Sequence, residues 1–188
     1  MEIELHWATP IFISNLEKMD EFNNNFKKTV VELIKDDSVF KSNRGGWQSN
    51  LQNPEGDSLF YLTNKIKEKC SEISGIEIKK IDITQIWISV NNKHNWNVIH
   101  QHGGENHLSG TYYVKSPNNS GDIVFRDPRP AAISNKFFRK FIDKGELRKY
   151  KPKDSLLILF PSFLDHFVEP NEVEDSRISI SFDVKFII

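Results

Sequence analysis

The C-terminal end constrains the chain most. There Ile178, Ile180, Phe182, Val184 and Phe186 alternate with Ser179, Ser181, Asp183 and Lys185. Side chains of a strand point to opposite faces with a period of two, so this segment is a half-buried strand, apolar on one face and polar on the other. Its backbone N–H and C=O groups need neighbouring strands. Ile81–Val90 is β-branched and bounded by polar turns, and Leu108–Lys115, Asp122–Phe125 and Leu156–Phe160 are further strand candidates. Breakers such as Ser116-Pro117-Asn118-Asn119-Ser120-Gly121 separate them.

The N-terminal part has a different period. After a short extended piece, Ala8–Ile13, the residues Phe22, Phe26, Val30, Leu33 and Ile34 recur at spacings of three and four, the stripe of an amphipathic helix over Met19–Lys35. Asn43–Asn53, with Gly45-Gly46-Trp47, reads as a loop. A second helix is predicted over Leu59–Glu72, capped by Asp57 or Ser58, with Leu59, Leu62, Ile66 and Cys70 on one face. Cys70 on that stripe is a buried, inert thiol. Helices first and strands after give an α+β chain: residues 1–75 mostly helical, residues 76–188 mostly strands of an antiparallel double sheet of jelly-roll type, all in one domain over 1–188.

Composition narrows the function classes. At 188 residues a domain buries roughly 70% of its unfolded surface and folds without a disulfide or metal staple. Lys plus Arg total 25 and Asp plus Glu 26, a net charge of -1, which argues against nucleic acid or an anionic membrane as partner. A single cysteine excludes an intramolecular disulfide framework and fits a reducing compartment. Met1–Trp7 lacks the basic start and apolar run of a signal peptide, and no stretch approaches the roughly 18 apolar residues of a membrane span. The expectation is a soluble cytoplasmic protein.

Two clusters carry chemistry. His100-Gln101-His102 sets two imidazoles two residues apart, on one face if the backbone is extended, so one segment can offer both to a metal. His166 follows the apolar run Leu156–Phe160 and Pro161, an arrangement that returns a distant ligand to a site. The ordinary alternative is surface or hydrogen-bonded core histidines. The second cluster is Arg177-Ile178-Ser179: alternation puts the guanidinium and the hydroxyl together, opposite Ile178, as a receptor for a carboxylate. A salt bridge at the strand's end is the plain alternative.

The run His100-Gln101-His102, then Leu108–Val114, Ser120–Arg129, Leu159–His166, Glu169-Pro170-Asn171 and Arg177–Phe182 resembles the 2-oxoglutarate/Fe(II)-dependent oxygenases, in particular a branch of small phage and marine-bacterial proteins. Thr9–Phe12 and Gly45–Ser49 extend the resemblance over nearly the whole chain. It implies a double-stranded β-helix (jelly-roll) core with the N-terminal helices packed on a sheet. It also implies Fe(II), 2-oxoglutarate and O2 as cofactor and cosubstrates, and hydroxylation of a substrate C–H bond with release of succinate and CO2. By the same resemblance His100 is the first metal ligand and His166 the distal one. Arg177 and Ser179, assisted by Tyr113 rather than Tyr112, hold the far carboxylate of 2-oxoglutarate.

The sequence departs from the family at one position. Family members bind iron with His-x-Asp or His-x-Glu plus the distal His; here His102 stands where the carboxylate is expected. Three ligand sets remain open: His100, His102 and His166 together; Glu105 or another acid as the anionic ligand instead of His102; or His102 as first ligand, with Gly104 at a vacant carboxylate position as in halogenating relatives. Two other functions compete with the oxygenase. One is a cupin-type metal dioxygenase or isomerase that does not use 2-oxoglutarate, the other a non-catalytic jelly-roll binding module. Arg126, Asp127 and Arg129 face substrate or form salt bridges, and Trp47 and the segment Ser134–Tyr150 are candidates to cover the site. The substrate is open between a small molecule, a peptide and a protein side chain, and the oligomeric state is equally open.

Overall fold

The computed structural model describes residues 8–129, 134 and 146–187. Its elements run β1 (Phe12–Asn15), α1 (Asp20–Leu33), β2 (Asn43–Arg44), β3 (Trp47–Gln48), α2 (Phe60–Ser74), β4 (Ile81–Asn91) and β5 (Trp96–His100). They continue through β6 (Leu108–Lys115), β7 (Ile123–Arg126), β8 (Leu147–Tyr150), β9 (Leu156–Pro161), β10 (His166–Val168) and β11 (Arg177–Phe186). Two antiparallel sheets result, one in the order β1-β9-β6-β11-β4-β3 and one in the order β2-β5-β10-β7-β8. This is the expected α+β jelly roll with its helices on one sheet.

The larger sheet is buried on both faces because its strands alternate between two kinds of core. Ile178, Ile180, Phe182 and Val184 of β11 point to the helices, together with Ile86 and Ile88 of β4 and Tyr112 and Val114 of β6. Phe26 and Val30 of α1 and Leu62, Ile66 and Cys70 of α2 meet them there. Each such side chain contributes roughly 1.5–3 kcal/mol by leaving water. The Tyr112 hydroxyl on this side donates to Asn23 Oδ1 at 2.8 Å. The opposite face looks between the sheets, where Tyr113, Ile123, Phe125, Leu156, Ile158 and Phe160 form a second core.

Three local expectations are corrected. The supposed loop Asn43–Asn53 contains β2 and β3, which pair with β5 and β4 around Gly45 at φ 77°. α2 begins after Leu59 with no side-chain cap from Asp57 or Ser58, and stops at Gly75, whose φ of 71° is the left-handed C-terminal conformation glycine adopts freely. Trp47 does not cover the inter-sheet space. It packs on the helix-side core, and its indole Nε1 donates to Asp36 O at 3.0 Å. Most of the Ser134–Tyr150 segment, Phe137, Phe138 and Phe141 included, lies outside the described residues; its end forms β8.

Candidate metal centre

The sheets face each other across a cavity of about 620 Å³, and both sequence clusters open into it. His100 ends β5 and His166 begins β10, and the two are direct partners in the ladder. His102, two residues beyond β5, is held by its own N–H on Ser162 O at 2.9 Å. The ring centroids are 4.3 Å apart for His100 and His166, 5.4 Å for His100 and His102, and 5.1 Å for His102 and His166. One nitrogen from each ring lies within 4.8 Å of the others, a grouping able to hold a metal ion.

Hydrogen bonding decides which nitrogens are free. Nδ1 of His100 lies 2.8 Å from Val98 O and Nδ1 of His166 lies 2.9 Å from Leu164 O. A carbonyl only accepts, so both Nδ1 atoms carry the proton and both Nε2 lone pairs remain available. Nδ1 of His102 lies 2.6 Å from Oδ1 of Asp183, with the same consequence. Burial pushes His166 down to about 3, helped by the neighbouring His100. Burial also lowers His100, with the nearby His102 adding to the effect against the Val98 carbonyl. Both are therefore neutral imidazoles near neutral pH, the form a metal binds.

The second cluster occupies the same wall. Arg177, 2% exposed, donates through Nη1 to Ser120 O at 2.5 Å and Gly121 O at 2.8 Å. Among the described residues no carboxylate lies within ion-pair distance of it. Burial lowers its proton affinity, partly countered by Tyr113 and Asp122, yet a guanidinium remains charged. Ser179 sits two residues along β11 and faces Tyr113 across the β6 ladder. Burial pushes the Tyr113 phenol up to about 12, so it stays a neutral donor.

The remaining candidates lie elsewhere. Glu105 is exposed and ion-paired with Lys185, which holds its carboxyl below the usual range; it is not in the histidine group. His100 stands in that group together with His102 and His166. Arg129 grips Asp127 with two bonds, Nε to Oδ1 at 2.9 Å and Nη2 to Oδ2 at 2.7 Å, and Arg126 Nε pairs with Glu146 at 3.0 Å. Sequence reasoning missed Asp183. It is a buried residue of β11 that bonds His102 and accepts from Ser109 Oγ at 2.6 Å.

Fold and site together define a jelly-roll protein with an imidazole cluster and a buried guanidinium in one cavity. A model of the family described as "Putative 2OG-Fe(II) oxygenase" matches residues 85–183, more than half the chain, and the chain belongs to that family. It is accordingly a non-haem oxygenase that uses Fe(II), 2-oxoglutarate and O2, and the cupin and binding-module alternatives fall away. No curated protein matches the sequence. Among solved structures, a prolyl-4-hydroxylase of Pseudomonas putida is 10% identical with a TM-score of 0.69, over 95% of this chain and 94% of that one. HygX of Streptomyces hygroscopicus, with nickel and 2-oxoglutarate bound, is 10% identical with a TM-score of 0.64, over 94% and 83%. A prolyl hydroxylase of Trichoplax adhaerens, in complex with a hypoxia-inducible-factor peptide fragment, is 16% identical with a TM-score of 0.65, over 94% and 83%. These are likenesses of fold. Among the described residues no helix is long and apolar enough to cross a membrane.

Proposed function

We propose that His100, His102 and His166 are the Fe(II) ligands and that Arg177, with Ser179 and Tyr113, holds the distal carboxylate of 2-oxoglutarate. The enzyme then hydroxylates a C–H bond of a small-molecule or peptide substrate. The observation that carries this reading is Arg177. A buried cation without a carboxylate partner among the described residues is costly, and an anionic ligand in its cavity relieves that cost. The neutral imidazoles with free Nε2 atoms fit Fe(II), which accepts nitrogen ligands readily.

Bound Fe(II) and 2-oxoglutarate supply the oxidising chemistry, with succinate and CO2 as co-products. The chain supplies position. The carbonyls of Ser120 and Gly121 fix the Arg177 fork before any ligand arrives, which reduces the ordering cost of binding. Gly121 is required there: at φ 89° an added Cβ would lie 2.1 Å from Glu169 O. Phe160, 4.7 Å from the His166 ring, and Phe125, 6.0 Å from it, keep water from that side of the centre.

The test is to add 2-oxoglutarate to the Fe(II)-loaded protein without oxygen and to watch for the visible iron-to-keto-acid charge-transfer band. A saturable band is expected. Arg177→Ala should raise the 2-oxoglutarate concentration needed by roughly 10- to 100-fold, the scale of losing charge-assisted hydrogen bonds, and leave iron binding intact. Equal loss of iron would refute the anchor. Iron binding retained in His166→Ala would refute the ligand set.

A further inference from the structure

The three imidazoles are not held alike. His100 and His166 give their Nδ1 protons to neutral backbone carbonyls, whereas His102 gives its own to a carboxylate. Asp183 is built for that contact. It faces Ser109 in the β6 ladder, and the Ser109 hydroxyl pins the same oxygen, Oδ1, that His102 touches. The pairing of β11 with β4 shifts register between Asp183 and Val184, the kind of irregularity that re-aims a side chain. The His102 ring is fixed from its other side by Trp87, stacked at 5.5 Å and 26°.

The environment of Asp183 lacks a permanent cation. Its side chain is 5% exposed, and among the described residues no lysine or arginine lies within ion-pair distance of it. A buried carboxylate satisfied only by a hydroxyl and an imidazole is short of positive charge. A divalent ion on Nε2 of the same ring would supply it, and a carboxylate behind a ligating histidine fixes the ring and raises its basicity. His102, one of the three grouped histidines, thus has a carboxylate directly behind it.

We infer that Asp183 is a positioning residue of the metal centre: it orients His102 and supplies, from behind that ligand, a negative charge close to the metal. The inference rests on the three-histidine ligand set proposed above. Two predictions separate it from a merely structural role for Asp183. Removing the charge must weaken metal binding even where folding is unharmed, and it must alter the ligand field sensed by the metal.

The experiment titrates the metal-free full chain with Co(II) and follows its visible d–d absorption, alongside thermal unfolding of the metal-free protein. Asp183→Asn, which keeps the shape, is expected to weaken Co(II) binding roughly 10- to 100-fold and to displace the band, with metal-free unfolding temperature unchanged or raised. Ser109→Ala should give a smaller loss in the same direction. Wild-type affinity and an unmoved band in Asp183→Asn would overturn the inference, as would a loss of unfolding temperature without a loss of affinity. His166→Ala is run in parallel. If it retains Co(II) affinity, the ligand set itself has failed, independently of the Asp183 result.

Discussion

His166 is neutral because it is buried, and the stability of the metal-free protein inherits that. Its folded value, pushed down to about 3, lies well below the roughly 6.5 of an unfolded histidine. Above pH 6.5 neither state holds the proton and no penalty arises. As pH falls from about 6.5 toward 3 the unfolded state takes up a proton that the folded state refuses. Stability should then drop by at most about 1.4 kcal/mol per pH unit for this one group. Urea unfolding of metal-free protein between pH 7 and 5 measures the slope, and His166→Gln should flatten it by up to that amount. An unchanged slope in the variant would show that His166 titrates freely. At this scale the residues legible in the sequence are those whose spacing has a direct geometric meaning. His100 and His102 are two apart, His166 follows an apolar strand, and Arg177 and Ser179 share a strand face. Asp183 was not legible. In sequence it is one more polar residue of an alternating strand, and its role arises from the Ser109 register and from a reach to His102.

Strand β11 joins fold and site because its two faces do different work. Ile178, Ile180, Phe182 and Val184 anchor it to the helices, while Arg177, Ser179, Ser181 and Asp183 line the cavity. The anchoring face is tight at Gly110. A Cβ there would lie 2.4 Å from Phe182 Cζ and 2.8 Å from Leu159 Cδ2. Gly110→Ala should therefore cost about 1–3 kcal/mol of unfolding free energy, the usual scale for overpacking a core. Phe182→Leu in the same chain should recover part of that loss, a coupling that two independent substitutions would not show. Denaturant midpoints of both single variants and the double variant decide it; strictly additive losses would mean that the ring is not what Gly110 accommodates. The long strands and both helices were legible because each repeats its period several times. β2 and β3 were not, since two residues carry no period and their pairing partners are distant. Trp47 follows the same logic: with β3 unseen, an indole after two glycines in a polar stretch resembles a loop cover.

In the molecule as a whole, the cavity is polarised along one wall. The row on β11 runs from the buried guanidinium of Arg177, without an acidic partner among the described residues, to the buried carboxylate of Asp183, which has His102 but, among those residues, no lysine or arginine within ion-pair distance. Three imidazoles stand beside the acidic end. That pattern suits a cation at the histidines and an anion whose far end reaches Arg177, and it makes binding of the two mutually supportive, because each offsets the charge the other brings in. The coupling has a thermal signature. A ligand at 100 times its Kd stabilises the folded state by about 2.7 kcal/mol, which for a domain of this size raises Tm by roughly 5–10 °C at about 2–4 °C per kcal/mol. Fe(II) alone, without oxygen, should produce a shift of that order, reversed by a chelator. 2-Oxoglutarate alone should add little, and the two together should exceed the sum of their separate shifts. Arg177→Ala should cut the 2-oxoglutarate increment to about half or less while preserving the Fe(II) shift. His166→Ala should remove both, because the keto acid then has only its distal carboxylate to hold. An equal 2-oxoglutarate shift with and without Fe(II) would mean that the guanidinium binds the keto acid independently of the histidines, and the two ends of the cavity would then be separate sites.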